Sequence, residues 1–148
     1  MYPVRNSAKA IIIENNRLLC IRKTGAGGHY CILPGGGQEK NETFIDAVKR
    51  ECREEIGAEV AVQGLTYIRE YIARNHEFKE ADDLHQVEFM FECELLTRPN
   101  MENASHLDGG QDGIVWVDIA APEYAVYPKV LLDRIRMHDR NIYWGDVN

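Results

Sequence analysis

The sequence has no apolar run approaching the roughly 20 residues that a membrane-spanning helix needs, and Met1 to Lys9 has none of the apolar stretch a secretory signal carries. The expectation is a cytoplasmic chain with no membrane partner. An excess of positive charge is missing too, since 17 Lys and Arg stand against 24 Asp and Glu for a formal charge of −7. Gripping duplex nucleic acid or an anionic membrane takes clustered cations, and this balance excludes both as partners. Cysteines are few and unpaired: Cys20, Cys31, Cys52 and Cys93 form no CxxC and each falls in an apolar segment, the pattern of buried free thiols. Repeats and low-complexity tracts are absent. What remains, 148 residues of which 45% are hydrophobic, is the size of one domain, 1–148, around one core.

Patterning fills in that domain. Two Ile- and Leu-rich runs between Ser7 and Lys23 flank Asn15-Asn16, a pair that tolerates positive φ and suits a hairpin. His29 to Leu33 reads as a short strand stopped by Pro34, and Gly35-Gly36-Gly37 then frees the backbone for conformations a side chain forbids. Asn41 is placed to cap a helix running to Ile56, with Gly57 as its stop. Ala58 to Ala73 reads as two strands split at Gly64, Arg74 to Leu84 as a loop, and His85 to Leu95 as a strand of period two. Thr97 to Gly113 is a long loop, Ile114 to Asp118 the final strand, and a last helix starts at Pro128 and covers Val130 to Met137.

On the Asn41 to Ile56 helix, Phe44, Ile45, Val48, Cys52 and Ile56 form one apolar stripe. Glu51, Glu54 and Glu55 fall together on a narrow face bordering that stripe. Like charges spaced i,i+4, as in Glu51 and Glu55, repel, and more so where water is partly excluded. Arg50 can reach Glu54 at i,i+4 but leaves two charges uncompensated, and clustered carboxylates without nearby Cys or His suit a hard cation, Mg²⁺ first and Mn²⁺ second. Taken alone, an ExxEE is more often a solvated helix face. Here its surroundings shift the balance.

The segment Gly36 to Ala58, GGQEKNETFIDAVKRECREEIGA, resembles the Nudix box G-x5-E-x7-R-E-U-x-E-E-x-G-U, with Gly36, Glu42, Arg50, Glu51, Cys52, Glu54, Glu55, Gly57 and Ala58 at its positions. Cys52 and Ala58 are small where the pattern asks for an aliphatic residue. Leu33-Pro34-Gly35 before the box and Trp116-Val117 on a late strand agree with that family. The resemblance implies an α/β fold, a mixed β-sheet sandwiched between helices, and an enzyme that hydrolyses a diphosphate bond with Mg²⁺. It also implies that Glu51, Glu54 and Glu55 hold the metal with the carbonyl of Gly35, that Arg50 orients the glutamates, and that Glu42 ties loop to helix. The metal would neutralise and align the diphosphate and activate the attacking water, with Glu51 as one choice of base.

Other roles implied by the resemblance rest on fewer residues. An additional acid could come from Asp112, from Asp108 behind it, or from Glu88 on the alternating strand. Tyr30 and Tyr127 are placed to meet a base, or to pack in the core with bonded hydroxyls. Arg22, Lys23, Arg69 and Arg74 are the cations placed to meet phosphates, and His85 reads as structural. The preferred substrate is ADP-ribose or a nucleotide sugar, with a nucleoside triphosphate as the alternative and a non-hydrolysing nucleotide sensor behind both. A homodimer is in keeping with ADP-ribose-cleaving relatives.

Overall fold

Asn15 and Asn16, at φ 52° and 58°, turn the chain sharply between β2 (Ile13–Glu14) and β3 (Arg17–Gly25), as their tolerance of the left-handed region predicts. The structure, a computed structural model, describes residues 3–76, 83–103 and 111–148. Around this hairpin stand β1 (Arg5–Ile11), β4 (Gly28–Ile32), β5 (Gly35–Gly37), β6 (Val60–Ile72), β7 (His85–Leu95), β8 (Gln111–Asp118), β9 (Ala125–Tyr127) and β10 (Tyr143–Asp146). One sheet runs β10-β6-β7-β1-β5; the other runs β2-β3-β4-β9, with β8 paired to β3. Both are mixed: β1 lies parallel to β7, β10 to β6 and β9 to β4, while the other pairs are antiparallel.

The strands are covered from both sides. The helix α1 (Phe44–Ile56) buries Val48, Cys52 and Ile56 against Ala8, Ala10, Leu19, Ile21, Phe91 and Cys93. The shorter α2 (Leu131–Arg136) buries Leu131 and Leu132 among Ile11, Leu18, Cys20, Met90, Val117 and Trp144. Successive residues of β3, Leu18 to Ile21, thus enter opposite cores, which is why the run is apolar without alternation. The result is the expected α/β/α sandwich with mixed sheets. All four cysteines are buried free thiols, and burial pushes the Cys93 thiol up to about 12. No helix of the described residues is long and apolar enough to cross a membrane.

Several boundaries differ from the sequence reading. Thr43, not Asn41, caps α1: Asp46 N donates to Thr43 Oγ1 at 3.1 Å and Thr43 N to Asp46 Oδ2 at 3.3 Å, a reciprocal box worth about 1 kcal/mol. Asn41 instead takes φ 71° in the preceding turn. Ile45 is exposed and the small Ala47 takes its place in the stripe. Gly64 does not split β6, because register shifts on either side of it absorb the irregularity within one continuous strand. A 3-10 turn, Ala73–Asn75, opens the Arg74 loop and another, Met101–Asn103, lies in the Thr97 loop. β8 starts at Gln111, earlier than Ile114, and is followed by β9 and β10; α2 starts at Leu131, whose N–H donates to the carbonyl of Pro128. Gly57, at φ 61°, ends α1 as expected.

Candidate active site

β1 pairs with β5, so that Lys9 faces Gly35 and Ala8 faces Gly36. Gly35 sits at φ 139°, and a Cβ there would lie 2.2 Å from the Ala8 carbonyl oxygen and 2.7 Å from Lys9 Cα. Only glycine fits. Gly35→Ala is therefore expected to cost about 2 kcal/mol of stability, read from urea denaturation; an unchanged midpoint would show that the strand pair yields without strain. At Gly36 a Cβ would come within 2.6 Å of Glu51 Oε1, so the missing side chain is what lets this carboxylate approach the strand.

Arg50 organises the acids. Its Nε donates to Glu42 Oε2 at 3.1 Å and its Nη2 to Glu42 Oε1 at 2.7 Å, while Nη1 reaches Glu51 Oε1 and Glu54 Oε2, both at 3.1 Å. Nη2 also donates to the Gly37 carbonyl at 3.0 Å, joining helix to strand. The Arg50 guanidinium beside Glu42 holds that carboxyl below its usual range, and Glu42 also accepts the Glu39 N–H. Glu42 thereby ties the loop to the helix, the role expected for it. Glu55, 3% exposed, accepts the Gly35 N–H at 2.6 Å. Burial, with the negative charge of Glu55 and Glu54 beside it, pushes the Glu51 carboxyl up against the pull of Arg50.

The acids gathered here outnumber their cation. Oxygen donors alone, from Glu51, Glu54, Glu55 and the Gly35 carbonyl, match the preference of a hard divalent cation, and the glycine cradle gives Glu51 its room. In this structure Glu51 and Glu54 turn to Arg50 and Glu55 to the Gly35 N–H. Among the described residues, accordingly, no three carboxylate, imidazole or thiolate side chains converge in ligating positions. The donor set fits the metal chemically, and its carboxylates are collected at one edge by Arg50 and the Gly35 N–H.

These residues line a polar cleft of about 970 Å³ that also holds Arg5, Ser7, Lys9, Lys23 and Gln86. A second pocket of about 260 Å³ adjoins it, and Lys9, Lys23, Ile32 and Gln86 border both. In the second pocket Tyr30 and Tyr127 meet edge to face at 5.6 Å between centroids, beside Tyr71 and Pro128. Arg69 and Glu88, both buried, form an ion pair there through Arg69 Nε and Glu88 Oε2. Arg69 Nη1 further donates to the Val147 carbonyl at 2.6 Å. Although complete burial opposes ionisation, Arg69 and Lys9 hold the Glu88 carboxyl below its usual range. Glu88 thus lies in the aromatic pocket, apart from the helix-borne acids. A separate groove of about 520 Å³, bordered by Ile11, Tyr67 and Leu95, contains none of the box residues.

The structure brings Glu51, Glu54, Glu55, Arg50, Gly35 and Lys23 to one cleft, and Tyr30, Tyr127 and Arg69 to its neighbour. Arg22 borders neither, because alternation along β3 turns it away from Lys23 and its Nη1 donates to Tyr124 Oη at 3.3 Å. Arg74 is exposed on the 3-10 turn. His85 Nε2 lies 2.9 Å from Glu70 Oε1, in keeping with a structural histidine. Asp112 lies in β8, and Asp108 outside the described residues. Sequence reasoning missed Lys9 and Gln86. Lys9 did carry a signal, as the one charge within Ala8 to Ile13.

The family of NUDIX domains matches residues 3–139 of the chain. Among curated proteins none matches the sequence. Of solved structures, a MutT NUDIX hydrolase from Burkholderia pseudomallei superposes with a TM-score of 0.70 at 21% identity, covering 90% of this chain and 99% of its own. An ADP-ribose pyrophosphatase from Streptococcus suis 89-1591 gives 0.65 at 15% identity over 97% and 100%. A UDP-X diphosphatase gives 0.72 at 19% over 99% of this chain and 68% of that one.

Proposed function

The chain belongs to the Nudix hydrolase family, and from that premise we propose that it cleaves the diphosphate bond of a nucleoside diphosphate linked to a second moiety, of the ADP-ribose or nucleotide-sugar type. The observation that carries this reading is the pair of adjoining cavities. An aromatic pocket of about 260 Å³ suits a base packed against the Tyr30 and Tyr127 pair, and the polar cleft of about 970 Å³ leaves space beyond a diphosphate for another group. Lys9 and Lys23 stand at the crossing, where the phosphates would lie. That placement explains how an acidic protein can hold a polyanion.

Nudix hydrolases generally use a divalent metal, and Glu51, Glu54, Glu55 and the Gly35 carbonyl are the residues proposed to hold one here, Mg²⁺ by preference. A cation so held supplies charge neutralisation on the diphosphate and activation of water for in-line attack. Arg50 keeps the carboxylates together, Lys9 and Lys23 bind phosphate oxygens, and Glu51 is the acid we assign to accept a proton.

The test is hydrolysis of a panel of nucleoside diphosphate conjugates, nucleoside triphosphates and dinucleoside polyphosphates in Mg²⁺, with the nucleotide products separated by chromatography, because the bond cleaved leaves its phosphates on organic groups or as pyrophosphate. The conjugates should turn over fastest, and Ca²⁺, larger and less strict in geometry, should support less than about a tenth of that rate. Fastest turnover of triphosphates would transfer the assignment to the MutT-like reading. Silence across the panel with tight nucleotide binding would make the protein a sensor, and equal rates in Ca²⁺ would contradict the metal geometry.

A further inference from the structure

Lys9 occupies an unusual place. It stands on β1 opposite Gly35, and its stem runs so close over that glycine that a Cβ there would lie 2.8 Å from Lys9 Cδ. Its Nζ donates to the Gly35 carbonyl oxygen at 3.2 Å, the oxygen assigned above to the metal. The same ammonium lies within electrostatic reach of the buried Glu88, and Lys9 borders both the acidic cleft and the aromatic pocket. Lys9, with Lys23 beside it at the crossing, is thus set between the two halves of the site, resting on an acceptor that a divalent ion would also seek.

We propose that Lys9 and the metal compete for the Gly35 carbonyl, so that metal binding releases the Lys9 ammonium onto the diphosphate as it crosses between the cavities. This rests on the metal-site reading given above. The physical ground is that an ammonium and a divalent ion sharing one carbonyl repel each other at that distance, so each weakens the other's hold on it. Displaced from Gly35, the flexible lysine stem keeps its ammonium in the cleft, where it can donate to incoming phosphate oxygens. Metal loading and phosphate recognition are then coupled through one side chain, and the substrate is gripped firmly only when the metal is in place.

The coupling makes two effects of one substitution run in opposite directions. Lys9→Met keeps the stem packed over Gly35 and removes only the charge. Mn²⁺ binding, followed by electron paramagnetic resonance of the free ion, should tighten about fivefold in Lys9→Met, because the competing donor is gone. KM for the diphosphate substrate should rise about tenfold, while Lys9→Arg, which restores a cation, should recover most of the lost substrate affinity. Circular dichroism melting of both variants checks that the strand is intact, and a variant that unfolds would be replaced by Lys9→Gln for the same two readings.

Unchanged or weaker Mn²⁺ binding in Lys9→Met would overturn the competition, and an unchanged KM would overturn the role in phosphate binding. Wild-type protein that binds no Mn²⁺ would overturn the metal site itself and this inference with it. Wild-type protein that binds Mn²⁺ and turns over substrate, beside a Lys9→Met that matches it in both readings, would sink the role of Lys9 alone.

Discussion

Glu55→Gln is expected to lower kcat by about a thousandfold and, in the same protein, to raise the melting temperature by about 2 °C. The two effects have one cause. Glu55 is almost wholly buried and its charge helps push the Glu51 carboxyl above its usual range, so the folded state holds two like charges at i,i+4 where water is largely excluded. Glutamine has the same shape and keeps an oxygen to accept the Gly35 N–H, the contact that joins helix to strand at 2.6 Å. Removing the charge relieves the repulsion without breaking the junction. On the proposed metal site it also removes an anionic ligand, which a neutral amide replaces poorly. A carboxylate kept for structure would behave in the reverse way, with its loss destabilising the fold and sparing turnover. Calorimetry and kcat measured on one preparation separate the two, and retained turnover would withdraw Glu55 from the metal site.

The parts of this site that could be read from the sequence share a feature: their geometry is fixed within a few residues. Asn15-Asn16 turn, Gly57 ends the helix, and Arg50, Glu51, Glu54 and Glu55 share a helix face because 3.6-residue periodicity puts them there. What eluded the sequence depends on partners far along the chain. β9 and β10 are strands of three and four residues that pair with the edges of β4 and β6, and runs this short carry no legible period-two pattern despite their Val, Tyr and Trp. Glu88 on the alternating strand was one choice for an additional acid, yet β7 is interior to its sheet, and Glu88 is met there by Arg69 from β6. Ala47 is buried where Ile45 is exposed, because α1 turns its Ala47, Val48 and Cys52 side to the strands and a small residue lets helix and sheet approach closely. The Thr43 cap was missed because Asn41 is an equally good cap by type, and Asp46 at the third helical position decided between them.

Arg50→Met is expected to cost about 3 kcal/mol of stability at neutral pH and about a hundredfold in kcat, because the substitution leaves the clustered glutamates facing one another. One guanidinium meets both oxygens of Glu42, one oxygen each of Glu51 and Glu54, and the Gly37 carbonyl. Arg50→Lys should recover little of either loss, since an ammonium is a point charge that cannot span a bidentate pair and three further acceptors. The pH dependence follows from the direction of each shift. Glu42 is held below its usual range by Arg50, so its contribution to stability is present above the unfolded carboxyl value and is lost as pH falls through the folded one. Glu51, pushed up by burial and by Glu55, opposes folding most when it is charged, and losing its arginine partner raises that cost at neutral pH. Both effects fade once the carboxyls are protonated. The gap in stability between wild type and Arg50→Met should therefore be widest near pH 7 and narrow below about pH 4, as measured by urea denaturation across that range. A gap of constant width would mean that the variant loses the packing of the arginine stem and not the charge that gathers the acids.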